Sequence, residues 1–137
     1  MTKDNIRDKI ITIKVTKKNG ANMVIIYKNK KIEEQFCSKH KSRWRYPEQV
    51  KKKIEAAENY ILNASSLMDV VSYIPFHFEH LVGDRKDEWS IRLGNTGYRV
   101  ILIPCDDEEN EIFGGDILAK CKMIKIVKVT EVTNHYE

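Results

Sequence analysis

The sequence predicts an α+β fold in which helices near the N-terminus pack on one face of a mostly antiparallel, twisted sheet, with a strand or hairpin added at the N-terminus. Three observations carry this reading. Residues 83–103, GDRKDEWSIRLGNTGYRVILI, alternate apolar and polar side chains about a Gly/Asn turn, a period of two that favours strands over helix. Behind Pro47, the residues Val50, Ile54, Ala57 and Ile61 recur at helical spacing. Residues 124–132 are apolar on both faces of a two-residue period, as in a strand with neighbours on either side.

In chain order, residues 1–9 are polar, and the β-branched runs 10–15 and 23–27 flank Lys17-Lys18-Asn19-Gly20, which predicts a hairpin whose second arm joins the main sheet. Ile32 and Phe36 stand four apart in residues 30–37 and predict a short amphipathic helix that can continue into the basic block after it. The helix opening at Pro47 is expected to run to about Leu62. Asn63-Ala64-Ser65-Ser66 then offers caps, and Leu67, Val70 and Val71 repeat the helical spacing until Pro75 stops it.

The turn sets the register of the central hairpin. A loop of Asn95-Thr96, or of the four residues from Gly94 to Gly97, puts Arg92 opposite Arg99. Trp89, Ile91, Leu93, Tyr98, Val100 and Leu102 then share one face, and Ser90, Arg92 and Arg99 the other, which is expected to be open and basic. Two like charges opposite each other destabilise a sheet by roughly 0.2–1 kcal/mol. A carboxylate between them, or a phosphate bound by both, would offset that cost; two solvated arginines are the plainer alternative. Beyond Ile103, the acidic run Asp106 to Glu111 reads as a hairpin tip or an excursion, Gly114-Gly115 as a turn, and residues 116–122 as either a short helix or irregular chain. A His135-Tyr136 pair follows the last strand, and a rigid element is a suitable place for a site.

The 137 residues, 42% hydrophobic and 32% charged, are read as a single domain, 1–137. No apolar run is long enough to span a membrane, and the N-terminus has no apolar signal core. Cys37, Cys105 and Cys121 are odd in number and lack CxxC spacing, so neither a disulfide framework nor a zinc site is expected, and the location is expected to be cytoplasmic. His77, Glu79 and His80 could ligate a metal on paper, but on a strand His80 points away from the other two; no metal and no cofactor are expected. The net charge of +4 is unevenly spread. Residues 39–53 hold Lys39, Lys41, Arg43, Arg45, Lys51, Lys52 and Lys53 against Glu48, interleaved with Trp44 and Tyr46. That pattern suits a phosphate backbone with exposed bases, with a solvated helix face as the alternative.

Gly83-Asp84-Arg85-Lys86, followed by Trp89-Ser90-Ile91-Arg92, a Gly/Asn turn and Tyr98-Arg99, resembles the HigB-like branch of the RelE/ParE toxin superfamily. The similarity covers roughly residues 23–104 and 123–136, with 1–20 an N-terminal addition and 105–122 an insertion. The resemblance implies a RelE-like fold and the toxin of a type II toxin-antitoxin system, a ribosome-dependent mRNA endonuclease. Its implied partners are a helix-turn-helix antitoxin, the ribosome and mRNA, with operator DNA reached only through the antitoxin and no membrane involved. By position, Arg99 matches the family's sheet arginine at the scissile phosphate, and His135 its terminal catalytic histidine. The family's terminal Asp-Tyr-His reads Thr133-Asn134-His135 here, with Tyr136 after the histidine. Glu79 stands where a histidine is expected, with His80 one place later, and Val82 where a lysine is usual.

Metal-free RNA cleavage needs a base for the 2′-hydroxyl proton, cations for the phosphorane and an acid for the 5′-oxygen. Arg92 and Arg99, with Arg85 or Lys86 at the rim, are the expected cations. His135 is expected as general acid or base, with Glu79 or His80 as its partner and Tyr136 a further candidate. The competing class is a non-nucleolytic, gyrase-directed toxin or a degenerate toxin acting as a co-repressor with its antitoxin.

Overall fold

The computed structural model describes residues 22–85, 87–113 and 116–134; the run at 10–15 expected to pair with 23–27 lies outside them. Strand β1 (Val24–Tyr27) leads into helix α1 (Lys30–Phe36), whose first turn is capped by Asn29 Oδ1 accepting from the Ile32 N–H at 2.9 Å. Cys37, with extended backbone, stops α1, so the expected continuation into the basic block is a separate 3-10 turn, Ser38–Arg43. Helix α2 (Glu48–Asn63) starts one residue after Pro47 and buries Val50, Ile54, Ala57 and Ile61, the stripe its spacing requires. Helix α3 (Leu67–Ser72) is capped by Ser66, and its Leu67 N–H donates to Ile124 O, tying it to the chain ahead of the last strand.

Strands β2 (Glu79–His80), β3 (Trp89–Arg92) and β4 (Arg99–Cys105), helix α4 (Ile117–Lys120) and strand β5 (Ile126–Thr133) complete the described elements. The five strands form one mixed sheet in the order β1-β5-β4-β3-β2, with β1 parallel to β5 and the other three pairs antiparallel. The fold is therefore α+β. The β3–β4 register is the one its turn dictates, Trp89 opposite Leu102, Ile91 opposite Val100 and Arg92 opposite Arg99, with Gly94 and Gly97 at positive φ in the turn. Strand β4 runs past the expected end at Ile103 and takes in Pro104. Pro104 O accepts from Ile112 N–H, so the side lacking its own N–H faces the returning loop and not β5.

One face of the sheet forms the main core: Ile25, Tyr27, Trp89, Ile91, Val100, Leu102, Val127 and Val129 pack with Phe36, Ile54, Ile61 and Leu67 from the helices. The other face differs from the expected open, basic surface. At one end Val24, Ile26, Cys105 and Ile126 form a second apolar cluster. Over its middle folds the segment after β2, closed by Leu81 N–H on Glu88 O and by Arg85, whose guanidinium bridges Glu88 (2.6 Å) and Glu131 (2.5 Å). The described residues leave the end bearing Arg92 and Arg99 uncovered. A β-bulge in β5 also shapes this face: Ile101 pairs with Glu131 and Leu102 with Val129, so Thr130 is the extra residue. That single residue moves Glu131 and Thr133 from the core side to the side of Arg99. The three cysteines are free and buried, and no described helix is long and apolar enough to cross a membrane.

Candidate functional site

On the open end of the sheet the side chains form two rows. Arg92, Arg99 and Thr133 lie side by side across β3, β4 and β5; the next row is Glu79, Ser90, Ile101 and Glu131 across β2 to β5. Arg99, with a side chain only 16% exposed, reaches diagonally over Ser90. Its Nη1 lies 3.5 Å from Ser90 Oγ and 3.3 Å from Glu79 Oε1. Ser90 is fully buried, and its small size leaves the lane through which the guanidinium passes. Arg92 is exposed, and its side chain makes no hydrogen bond or ion pair among the described residues. The two arginines line a depression of about 360 Å³ together with Gly94, Asn95, Gly97 and Tyr98.

A third cation reaches its edge. Lys53 of α2 lies across Gly94 so closely that a Cβ there would stand 2.7 Å from Cε and 3.3 Å from Nζ. Sequence reasoning assigned Lys53 to the basic block and not to the hairpin, because a contact between elements forty residues apart leaves no local pattern.

Of the remaining expected site residues, Glu79 is brought to Arg99 and His80 is not. His80 pairs with Trp89 and stacks on its indole at 4.2 Å and 13°, on the opposite face from Glu79. Arg85 is held by two carboxylates, and those hydrogen bonds, Glu88 first, keep it charged. Lys86, His135 and Tyr136 lie outside the described residues. Thr133, the strand partner of Arg99, and Asn134 are the last described positions before the terminal pair. His77 sits in a left-handed conformation at the end of a 3-10 turn, not on a strand, and the described residues hold no cluster of His, Cys, Asp or Glu able to ligate a metal.

The basic block is less uniform than its sequence. Lys39 pairs with Glu33 at 3.6 Å, Lys41 with Glu55 at 2.8 Å and Lys51 with Glu48 at 3.9 Å. Arg43, Arg45, Lys52 and Lys53 are exposed and make no ion pair among the described residues. Its aromatics are structural and are not exposed stacking surfaces. Trp44 is buried, its Nε1–H donating to Glu34 O at 2.9 Å; Tyr46 donates to Gln35 O at 3.1 Å, and burial pushes its hydroxyl up to about 12. Both therefore satisfy carbonyls near the end of α1 that have no partner within the helix. The block is held down by two buried acids, Glu33 beside His40 (3.3 Å) and Glu58, which accepts the Ser38 N–H. The available signal was an acid set within each apolar stripe: Glu33 beside Ile32 and Phe36, and Glu58 beside Ile54 and Ile61.

Compared with known proteins, the chain matches no protein-family model, no curated protein and no solved structure.

Proposed function

We propose that the chain is the toxin of a type II toxin-antitoxin system, of the HigB-like branch of the RelE/ParE superfamily it resembles, and that it cleaves mRNA on the ribosome by metal-independent attack of a 2′-hydroxyl on the adjacent phosphate. The observation that carries the reading is the pairing of Arg92 with Arg99 on the open end of one sheet face, at a depression. Glu79 meets Arg99 alone and Arg92 has no acidic partner among the described residues, so a bound phosphate would bring countercharge to both guanidinium groups where the carboxylate serves one. Helices on one face of a largely antiparallel sheet, with the arginines on its central hairpin, support the RelE-like reading of the fold.

In this mechanism Arg99 grips the scissile phosphate and Arg92 shares its developing charge. Glu79, 3.3 Å from Arg99, is a base within reach of the 2′-hydroxyl of a nucleotide seated on that arginine. His135 supplies the second proton carrier, with Tyr136, next in sequence, a further candidate. His80, stacked on Trp89 on the other face, takes no part. The partners are a helix-turn-helix antitoxin, the ribosome and mRNA in the cytoplasm.

The second reading, a non-nucleolytic toxin or a co-repressor, is favoured by the same Glu79–Arg99 contact, since a carboxylate already occupies one side of the guanidinium. Cleavage of mRNA programmed on purified ribosomes decides between them. Arg99→Ala is expected to lower cleavage by roughly 10²–10³-fold with the melting temperature unchanged. Equal cleavage by wild type and Arg99→Ala, or none by wild type, sinks the nuclease reading. Transcript ends mapped after induced expression then separate a gyrase-directed toxin from an inert one.

A further inference from the structure

A depression of about 290 Å³ lies where the end of α1 meets the chain after the 3-10 turn, and Lys31, Arg43 and Arg45 line it together with Glu34. It is separate from the hairpin arginines. Tyr46, on its wall, meets the core-side ring of Tyr98 edge-on at 5.6 Å, whereas Arg92 and Arg99 project from the other face of the sheet. Lys31, Arg43 and Arg45 are exposed and make no ion pair among the described residues, while Lys39, Lys41 and Lys51 are each matched by an acid. His40, also on the wall, is engaged by the buried Glu33 at 3.3 Å. Three permanent positive charges therefore meet one carboxylate, Glu34, and two are left without a counterion.

The wall also hides what would repel an anion. Glu34 O and Gln35 O, carbonyls at the end of α1, already accept from the Trp44 Nε1–H and the Tyr46 hydroxyl. Those two bonds, with Glu58 holding the Ser38 N–H, fix the chain that carries Arg43 and Arg45, so a ligand need not order it. The volume is close to the lower end of the roughly 300–1,000 Å³ of small-molecule sites.

We propose that this depression binds a small phosphate monoester, its phosphate held by Arg43 and Arg45 with Lys31 as the third donor. A monoester carries about −1.5 to −2 at pH 7 and matches the two unopposed charges; a carboxylate or an internal phosphodiester carries one and leaves a cation unmatched. The site is independent of any cleavage at the hairpin.

The test is calorimetric titration of the full chain with ribose 5-phosphate and with adenosine 5′-monophosphate, using cyclic 3′,5′-adenosine monophosphate as the diester of the same nucleoside. Wild type is expected to bind at least one monoester, and the cyclic diester about tenfold more weakly than the open nucleotide. Arg43→Ala with Arg45→Ala should lower the affinity by roughly 10-fold or more with the melting temperature unchanged, Lys39→Ala with Lys41→Ala should leave it as it is, and Glu34→Gln should raise it about 2–5-fold. The site is overturned if wild type binds neither monoester, if the arginine pair binds as well as wild type, if the lysine pair weakens binding equally, or if Glu34→Gln weakens it. It is also overturned if a single-stranded RNA without a terminal phosphate displaces the monoester at equal concentration, which would make these arginines readers of phosphodiesters. Arg99→Ala should bind the monoester like wild type, so this result and that of the ribosome assay are read separately.

Discussion

The β3–β4 hairpin and residues 39–53 are both cationic, and the fold treats their charges in opposite ways. On the hairpin two arginines are brought together by strand register, and one of them is left without an acid among the described residues. In the block, three of the seven basic side chains meet acids from α1 and α2, and the aromatic residues between them turn inward. Charge that looks denser along the chain is thus partly neutralised in space, while the sparser pair is concentrated. An exposed ion pair such as Lys41 with Glu55 contributes little to stability, yet it decides whether that cation remains available to a phosphate.

The largest expected effect tests the inward half of this contrast. Trp44 is 6% exposed and joins the main core, so Trp44→Ala should cost roughly 3–5 kcal/mol and lower the melting temperature by about 10 °C or more. Arg43→Ala, one residue away and exposed, should stay within about 0.5 kcal/mol of wild type. A Trp44→Ala protein as stable as wild type would return the aromatic to the surface role that its basic neighbours suggest.

The reach of local pattern explains which half was legible in the sequence. The pairing of Arg92 with Arg99 follows from a two-residue period and a four-residue turn, and the stripe of α2 from its helical spacing; both are set within twenty residues. The fate of Lys39, Lys41, Trp44 and Lys53 depends on Glu33, Glu55, Glu34 O and Gly94, groups on other elements, and no periodicity encodes it. Strand β2 was equally hidden, being two residues long. The bulge at Thr130 is a further case: it reverses the faces of Glu131 and Thr133, so strict alternation along β5 would have placed both on the core side.

A middle-sized effect is expected at Ser90, which decides how Arg99 meets Glu79. Ser90→Leu fills the buried lane between them, costs roughly 1–3 kcal/mol by overpacking and should remove ribosome-dependent cleavage along with the contact. Ser90→Ala deletes a hydroxyl 3.5 Å from Nη1 but leaves the lane open, and should keep most of both stability and cleavage. Equal losses in the two variants would show that the hydroxyl, and not the space, holds the guanidinium in place.

The smallest effect separates the hairpin from the block where they touch. Gly94 and Gly97 both have positive φ, 63° and 85°, so alanine at either costs roughly 1 kcal/mol in backbone strain. Among the described residues, the Cβ added at Gly94 meets Lys53 Cε at 2.7 Å, whereas none lies within 4 Å of a Cβ at Gly97. The end of a lysine moves easily, so the clash adds little to the stability cost but carries the ammonium away from the depression. Gly94→Ala and Gly97→Ala should therefore melt together, while the first alone loses about 2–5-fold in affinity for single-stranded RNA, the worth of one exposed charge contact. If both glycine variants bind equally well, Lys53 belongs to the block as its position in the chain suggests, and the cationic border between the two regions is no wider than the hairpin arginines.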